Sequence, residues 1–258
     1  MLNARPYRLV VPLTYDAGTP APLVVLLHGY TASGTVQDTY FKMSELAQAR
    51  GFLLATPDGL MDTSGQRYWN ATDYCCGSVG TQKTDDVAYL TAILNDVRLK
   101  YRVDAKRVFF VGHSNGGFMS HRMACDRSDR VAGIVSLAGA LWKDETKCVP
   151  SVKVPILQVH GDQDVVITYG GNQFYPGAIE TVRDWAQLDG CTGGTLVSAG
   201  ASVDLSMVAG AETKREKFEG CPSGIGVELW TMQGDGHVPN FQPAWAPAIY
   251  DWLLAHAQ

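Results

Sequence analysis

Nowhere along these 258 residues do lysine and arginine gather into a basic face, and the 21 of them are outnumbered by 26 aspartates and glutamates. A net charge of -5 without such a face excludes a nucleic-acid binder, because phosphate contacts need a concentrated positive surface that releases counterions. Apolar runs are short. None reaches the roughly 18 residues of a membrane span, and the opening stretch MLNARPYRLVVP has no apolar segment ahead of a cleavage site. Also missing are paired C-x-x-C motifs and Cys/His ligand spacings. The six cysteines, Cys75, Cys76, Cys125, Cys148, Cys191 and Cys221, therefore read as disulfide partners rather than zinc ligands. Disulfides without a leader agree if an export signal has been trimmed, so a secreted or periplasmic protein is expected. No repeat, linker or low-complexity tract divides the chain, and its length suits one α/β domain over 1–258.

What is present alternates. YRLVVPL (7–13) has the period of a half-exposed strand, whereas LVVLLHG (23–29) is continuously apolar, as a strand covered on both faces must be. A polar loop, 30–36, leads to a predicted helix over 37–50, and GFLLATPDG supplies another short apolar run. Thr84 is placed to cap a helix with Asp85 and Asp86 in its first turn. Val87, Leu90, Ile93, Leu94, Val97 and Tyr101 then share one face. RVFFVG, VAGIVSLAG, VPILQVHG and VELWTMQG read as further buried strands, with helices predicted at 115–125, 178–189 and 243–256. Strand and helix in alternation imply an α/β fold, a mostly parallel central sheet with helices on both faces. Between them, 61–83 has no period and is rich in aromatics, the kind of long loop that carries function.

The stretch VFFVGHSNGGFMSHRMA (108–124) runs from an apolar strand through Gly112-His113-Ser114-Asn115-Gly116 into an amphipathic helix. With 27 glycines, a chance G-x-S-x-G is not negligible, so context decides. A nucleophile elbow needs a strand, small residues on either side of the serine and an immediate helix, and all three are here. Ser114 is therefore the candidate nucleophile. A serine hydroxyl needs a base and the base an orienting acid, which follow in the order Ser, Asp or Glu, His. Asp162 and Asp164 in VHGDQDVVI both lie just past a strand, and His237 in QGDGHVPNF just past the last one. His256, near the end of the terminal helix, reads as a solvated surface residue, and His28 and His160 as structural histidines. His160 with Asp162 and Asp164 gives alternating donors but no complete ligand set, so no metal and no cofactor are expected. The oxyanion formed in acyl transfer needs preformed donors. The amide of Asn115 is one, and the loop after LLHG, with Tyr30 ahead of Thr31, should supply the second.

These motifs, in this order, resemble the secreted esterases related to polyhydroxybutyrate depolymerases and to feruloyl and acetylxylan esterases, grouped as carbohydrate esterase family one. The resemblance runs nearly end to end, through PLVVLLHG, GFLLATPDG, YWNATDYCCG, TDDVAYL, VGHSNGGFM, SLAGALW, VHGDQDVV, DWAQLDGC and VELWTMQGDGH, with six matching cysteine positions. It implies an α/β-hydrolase fold and maps the acid to Asp164 and the base to His237. Relatives often carry a tryptophan two residues after that histidine. Here Pro239 follows Val238 directly. An aromatic wall would then come from Trp69, Tyr30 or Trp245, and Trp69, Tyr30 and Thr31 are the candidate substrate-contacting residues. The implied protein is an extracellular serine esterase acting as a monomer on polyhydroxyalkanoate oligomers or feruloyl and other aryl esters, plant cell-wall polysaccharide esters included. Acetylxylan esterase, mycolyltransferase-type acyl transfer and a non-catalytic polymer binder are the alternatives. Cys191 and Cys221 bracket the segment ahead of the last strand and are expected to bridge. The remaining four cysteines allow three pairings.

Overall fold

The computed structural model describes residues 2–76 and 84–257. The end of the 61–83 loop, 77–83, lies outside them. In chain order the elements are β1 (Tyr7–Val10), β2 (Ala21–Leu27), α1 (Gly34–Phe41), α2 (Met43–Arg50), β3 (Leu53–Pro57), β4 (Leu60–Met61), β5 (Arg67–Tyr68), α3 (Asp86–Lys100), β6 (Val103–His113) and α4 (Asn115–Asp126). Then follow β7 (Gly133–Leu137), β8 (Ile156–Gly161), α5 (Ala178–Asp189), β9 (Val197–Ser198), β10 (Thr213–Lys217), β11 (Val227–Met232) and α6 (Trp245–Ala255).

Nine strands form one sheet in the order β1-β3-β2-β6-β7-β8-β11-β10-β9. From β3 to β11 neighbours run parallel, while β1 at one edge and β10 and β9 at the other are antiparallel. The continuous apolar runs are explained by burial on both faces. In β2, Leu23, Val25 and Leu27 pack with α3, α4 and α5, whereas Val24 and Leu26 pack with α1, α2 and α6. Each such side chain fully withdrawn from water stabilises the fold by roughly 1.5–3 kcal/mol.

Two local expectations are corrected, and one strand was not foreseen. The 37–50 helix is two helices, because Lys42 turns left-handed with φ 60. Asp38 makes that break favourable: its carboxylate takes the Ser44 amide at 2.7 Å, the Ser44 hydroxyl, and the guanidinium of Arg8, capping α2. The cap of α3 is Asp85, which accepts from the Ala88 amide at 2.8 Å, rather than Thr84. Strand β10, TKREK, was not readable as a strand, since four of its five residues are charged and it pairs near the sheet's edge.

Candidate active site

Ser114 stands between the end of β6 and the start of α4 with φ 53 and ψ -120, a conformation that costs energy for any residue with a Cβ. The surroundings impose it. Its amide donates to the Leu137 carbonyl at 2.7 Å, and its carbonyl accepts from the Phe118 amide at 3.0 Å. The glycines flanking it are required by contact: a Cβ on Gly112 would stand 2.1 Å from the Gly116 carbonyl oxygen, and one on Gly116 2.2 Å from that of Leu27. Strand, turn and helix are thus pressed together so that the serine side chain points out over the sheet's C-terminal edge.

Two other loops at that edge bring their side chains to it. His237, past β11, has Nε2 2.9 Å from Ser114 Oγ and Nδ1 2.7 Å from Asp164 Oδ2. Asp164, past β8, accepts the Val166 and Ile167 amides on its other oxygen at 2.8 and 2.9 Å. Burial alone would raise the Asp164 pKa. The hydrogen bonds from His160 and His237, the His237 charge and the Val166 amide outweigh it and hold the carboxyl well below the usual range. Asp162, the other acid left open by the sequence, faces elsewhere: its Oδ1 accepts the Gly234 amide at 2.8 Å and so fixes the turn after β11.

The amide of Thr31 is taken by the Arg67 carbonyl at 2.9 Å, whereas those of Tyr30 and Asn115 have no protein acceptor among the described residues. Backbone donors left without an acceptor are what an oxyanion requires. Tyr30 and Thr31 are exposed on this loop, and the Tyr30 hydroxyl donates to Asp62 at 2.6 Å.

Trp69 is a correction. It is fully buried, its indole N–H donates to the His28 carbonyl at 3.0 Å, and its ring packs against His28, so it faces no substrate. Trp245 is buried too, stacked on Phe241 at 4.1 Å. His256 is half-buried rather than solvated, bonded to the Trp252 carbonyl and packed on that ring. Besides Tyr30, the exposed aromatics among the described residues are Tyr74 and Phe174, stacked 4.9 Å apart across the two loops that carry them.

Several residues the motifs did not point to hold the site. The Asn115 side chain grips Trp69 by both backbone groups, accepting from its N–H at 2.6 Å and donating to its carbonyl at 2.9 Å. Asp86 accepts the Asn70 amide at 2.7 Å and pairs with Arg5, while Arg122 donates to the Asn70 carbonyl at 2.7 Å. Cysteines pair as Cys75–Cys76, Cys125–Cys148 and Cys191–Cys221. Among the described residues no three His, Cys, Asp or Glu converge as a metal site, and no helix is long and apolar enough to cross a membrane.

Residues 14–181 match the family described as phospholipase/carboxylesterase. The chain belongs to that family. Carboxylesterase kinship extends to feruloyl esterase B of Piromyces equi, 28% identical over 88% of this chain. The chain spans only 41% of that protein's length. A probable feruloyl esterase C of Aspergillus niger is 26% identical over 98% of this chain and 85% of its own. In fold, an acetyl xylan esterase from Aspergillus awamori superposes with a TM-score of 0.69 over 96% of this chain and 93% of its own at 14% identity. Esterase PE8 gives 0.61 over 96% and 98% at 17%. The fold is that of the α/β hydrolases.

Proposed function

We propose that this chain is an extracellular serine esterase, one catalytic domain over 1–258 acting as a monomer, in which Ser114, His237 and Asp164 cleave carboxylic esters through an acyl-enzyme. The observation that carries the reading is the unbroken Ser114–His237–Asp164 hydrogen-bond line on a serine held at positive φ. Ser114 Oγ attacks the ester carbonyl as His237 Nε2 takes its proton, and Asp164 stabilises the imidazolium. The amides of Asn115 and Tyr30 receive the developing oxyanion. His237 then protonates the leaving alcohol, and water, deprotonated by the same imidazole, releases the acid.

Feruloyl esters and other aryl or short acyl esters, polysaccharide-borne ones included, are the proposed substrates, ahead of hydroxyalkanoate oligomers. Relatives named feruloyl esterase support this. So do the exposed aliphatics beside the acid and base, Val165, Val166 and Val238, which would face an apolar acyl or aryl group. Three disulfides support an oxidising compartment. The test is a hydrolysis panel of methyl ferulate, p-nitrophenyl acetate, acetylated xylan and a polyhydroxybutyrate film. Turnover of methyl ferulate well above the film is expected. Hydrolysis of none of the four overturns the reading.

A further inference from the structure

Strand β8 carries two buried polar side chains on its inner face. Ile156, Gln158 and His160 point to the same face by the two-residue period of a strand. Ile156 joins the core beneath α3, α4 and α5 there, yet Gln158 and His160 are fully buried. Polar groups in such a place destabilise the fold unless each finds a partner.

Each does, and the partners fix one direction. The indole N–H of Trp185, on α5, can only donate, and it lies 3.0 Å from His121 Nδ1 on α4. His121 Nδ1 must therefore accept, which puts its proton on Nε2, 3.0 Å from the Gln158 Oε1. The Gln158 amide is thereby oriented, and a second contact agrees, since its Nε2 donates to the Gly139 carbonyl at 2.8 Å. The same nitrogen donates to His160 Nδ1 at 3.2 Å. His160 is left with its proton on Nε2, 2.7 Å from the Ile167 carbonyl and 3.4 Å from Asp164 Oδ2, the oxygen that receives His237. Trp185, His121, Gln158 and His160 are at most 1% exposed, so water has no access to reverse any step.

We infer that Trp185, His121, Gln158 and His160 form a one-directional hydrogen-bond array whose last N–H, on His160, holds the Ile167 carbonyl and so positions the loop of Asp164 for the catalytic histidine. All four are positioning residues: none touches substrate. The inference rests on the proposed esterase chemistry for its purpose but not for its direction. Burial also keeps His121 neutral, pushing it down to about 4, which the array requires. A cation at His121 would have an N–H on both ring nitrogens, one facing the indole N–H. Held from this side, the acid loop presents one carboxylate oxygen to His237 while the other stays on the Val166 and Ile167 amides. Loss of such positioning lowers turnover more than binding, by an amount that reaches roughly 100-fold for displacements near 1 Å.

The experiment has two arms. Long-range ¹H–¹⁵N spectra of the imidazoles in the wild-type protein at neutral pH should show both His121 and His160 as single Nε2–H tautomers. An Nδ1–H tautomer at either overturns the array, whatever the enzyme's activity. In the second arm, Gln158→Met and Gln158→Glu are compared on the best ester of the panel. Glutamate keeps the length and the acceptor for His121 but carries at most one O–H, and only when protonated, where the Gln158 amide donates to both Gly139 and His160, so both variants should lose roughly 10- to 100-fold in kcat with KM within about twofold. Folded variants with wild-type kcat overturn the positioning role. If neither variant folds, Trp185→Phe decides: it removes the donor to His121 Nδ1 while the Gly139 carbonyl still orients Gln158, so kcat should fall with KM within about twofold, and a folded variant with wild-type kcat counts against the positioning role. Wild-type protein inactive on every ester with the expected tautomers would instead sink the esterase reading and leave the array's direction standing.

Discussion

His113 donates its Nε2–H to the backbone carbonyl of His237 at 2.8 Å, so the residue before the proposed nucleophile holds the main chain of the proposed base. Burial, followed by the neighbouring His237 charge, pushes the His113 pKa down to about 4, which keeps it a neutral, single-proton donor over the working range. Tyr40 adds a second tie two residues on, donating its hydroxyl to the Pro239 carbonyl at 2.8 Å, and its ring stands edge-on to His113. The base loop is thereby fastened by its carbonyls, leaving the His237 ring free to bridge Ser114 and Asp164.

Deleting one of these ties should show in turnover. Tyr40→Phe removes only an oxygen and should lower kcat roughly threefold to tenfold, the worth of one hydrogen bond, with KM unchanged. His113→Leu should cost more, and His113→Gln, which restores an N–H donor, should recover part of the loss. Steady-state kinetics on a p-nitrophenyl ester checks this; equal kcat in all three would show that the loop needs no such fastening.

The proposed triad makes its own demand. Ser114→Ala and His237→Ala should each reduce kcat by roughly 10⁶, and Asp164→Asn by less, because residues acting as a unit are not additive. Mass spectrometry after phosphonate treatment should place the adduct on Ser114, and an adduct on another serine would remove the assignment. Since Asp164 stays ionised far into acid, the fall of kcat/KM on acidification should follow a single group, the base that must be unprotonated.

Asn115→Ala tests the grip on the aromatic loop. It strands the Trp69 N–H in a buried site, while the Trp69 carbonyl keeps the Ala71 amide at 2.9 Å, and a buried donor left unpaired costs about 1–3 kcal/mol. Thermal unfolding should drop by several degrees and kcat should fall with it, although the Asn115 amide remains. A variant that keeps wild-type melting temperature would show that the loop is held without this side chain.

Asp189 should make stability pH-dependent. Its Oδ1 accepts the Val154 amide at 3.0 Å, its Oδ2 has no partner among the described residues, and burial pushes its pKa up to about 7. Between about pH 4, where a free carboxyl titrates, and about 7, the unfolded chain has released this proton and the folded protein retains it. The Asp189 contribution is then complete below that window and lost as pH rises through it. Asp189→Asn cannot ionise, so the melting temperature of the variant minus that of the wild type should grow across the window. Buried histidines common to both proteins cancel in that difference. A difference constant with pH would refute the assignment.

The strand–turn–helix around Ser114, the buried parallel strands and the polar loops after β8 and β11 were legible because each depends on local pattern: apolar runs buried on both faces, glycines beside the serine, a polar residue just past a strand. The residues that hold the site were not. Trp69 looked like a substrate-facing aromatic because nothing in YWNATDY reveals that Asn115, 46 residues away, pins its backbone inward. Asn115 itself was readable only for its amide. Gln158 and His160 sat in an apolar strand as exceptions to the period, and that irregularity was the available signal. Their partners His121 and Trp185 lie on different helices, a relation that exists only once β8, α4 and α5 have packed.

The contact between Gly112, Gly116 and the Leu27 carbonyl has a consequence for how such a sequence can drift. Because a single methyl group at either glycine would collide with main chain that cannot yield, a saturation library should show these two columns blank. The stacked pair of Tyr74 and Phe174, exposed and, among the described residues, in ring contact with Tyr175 alone, should in the same library accept many replacements. Variation is channelled accordingly, with the elbow inherited unchanged and new ester preferences arising where loops meet above it.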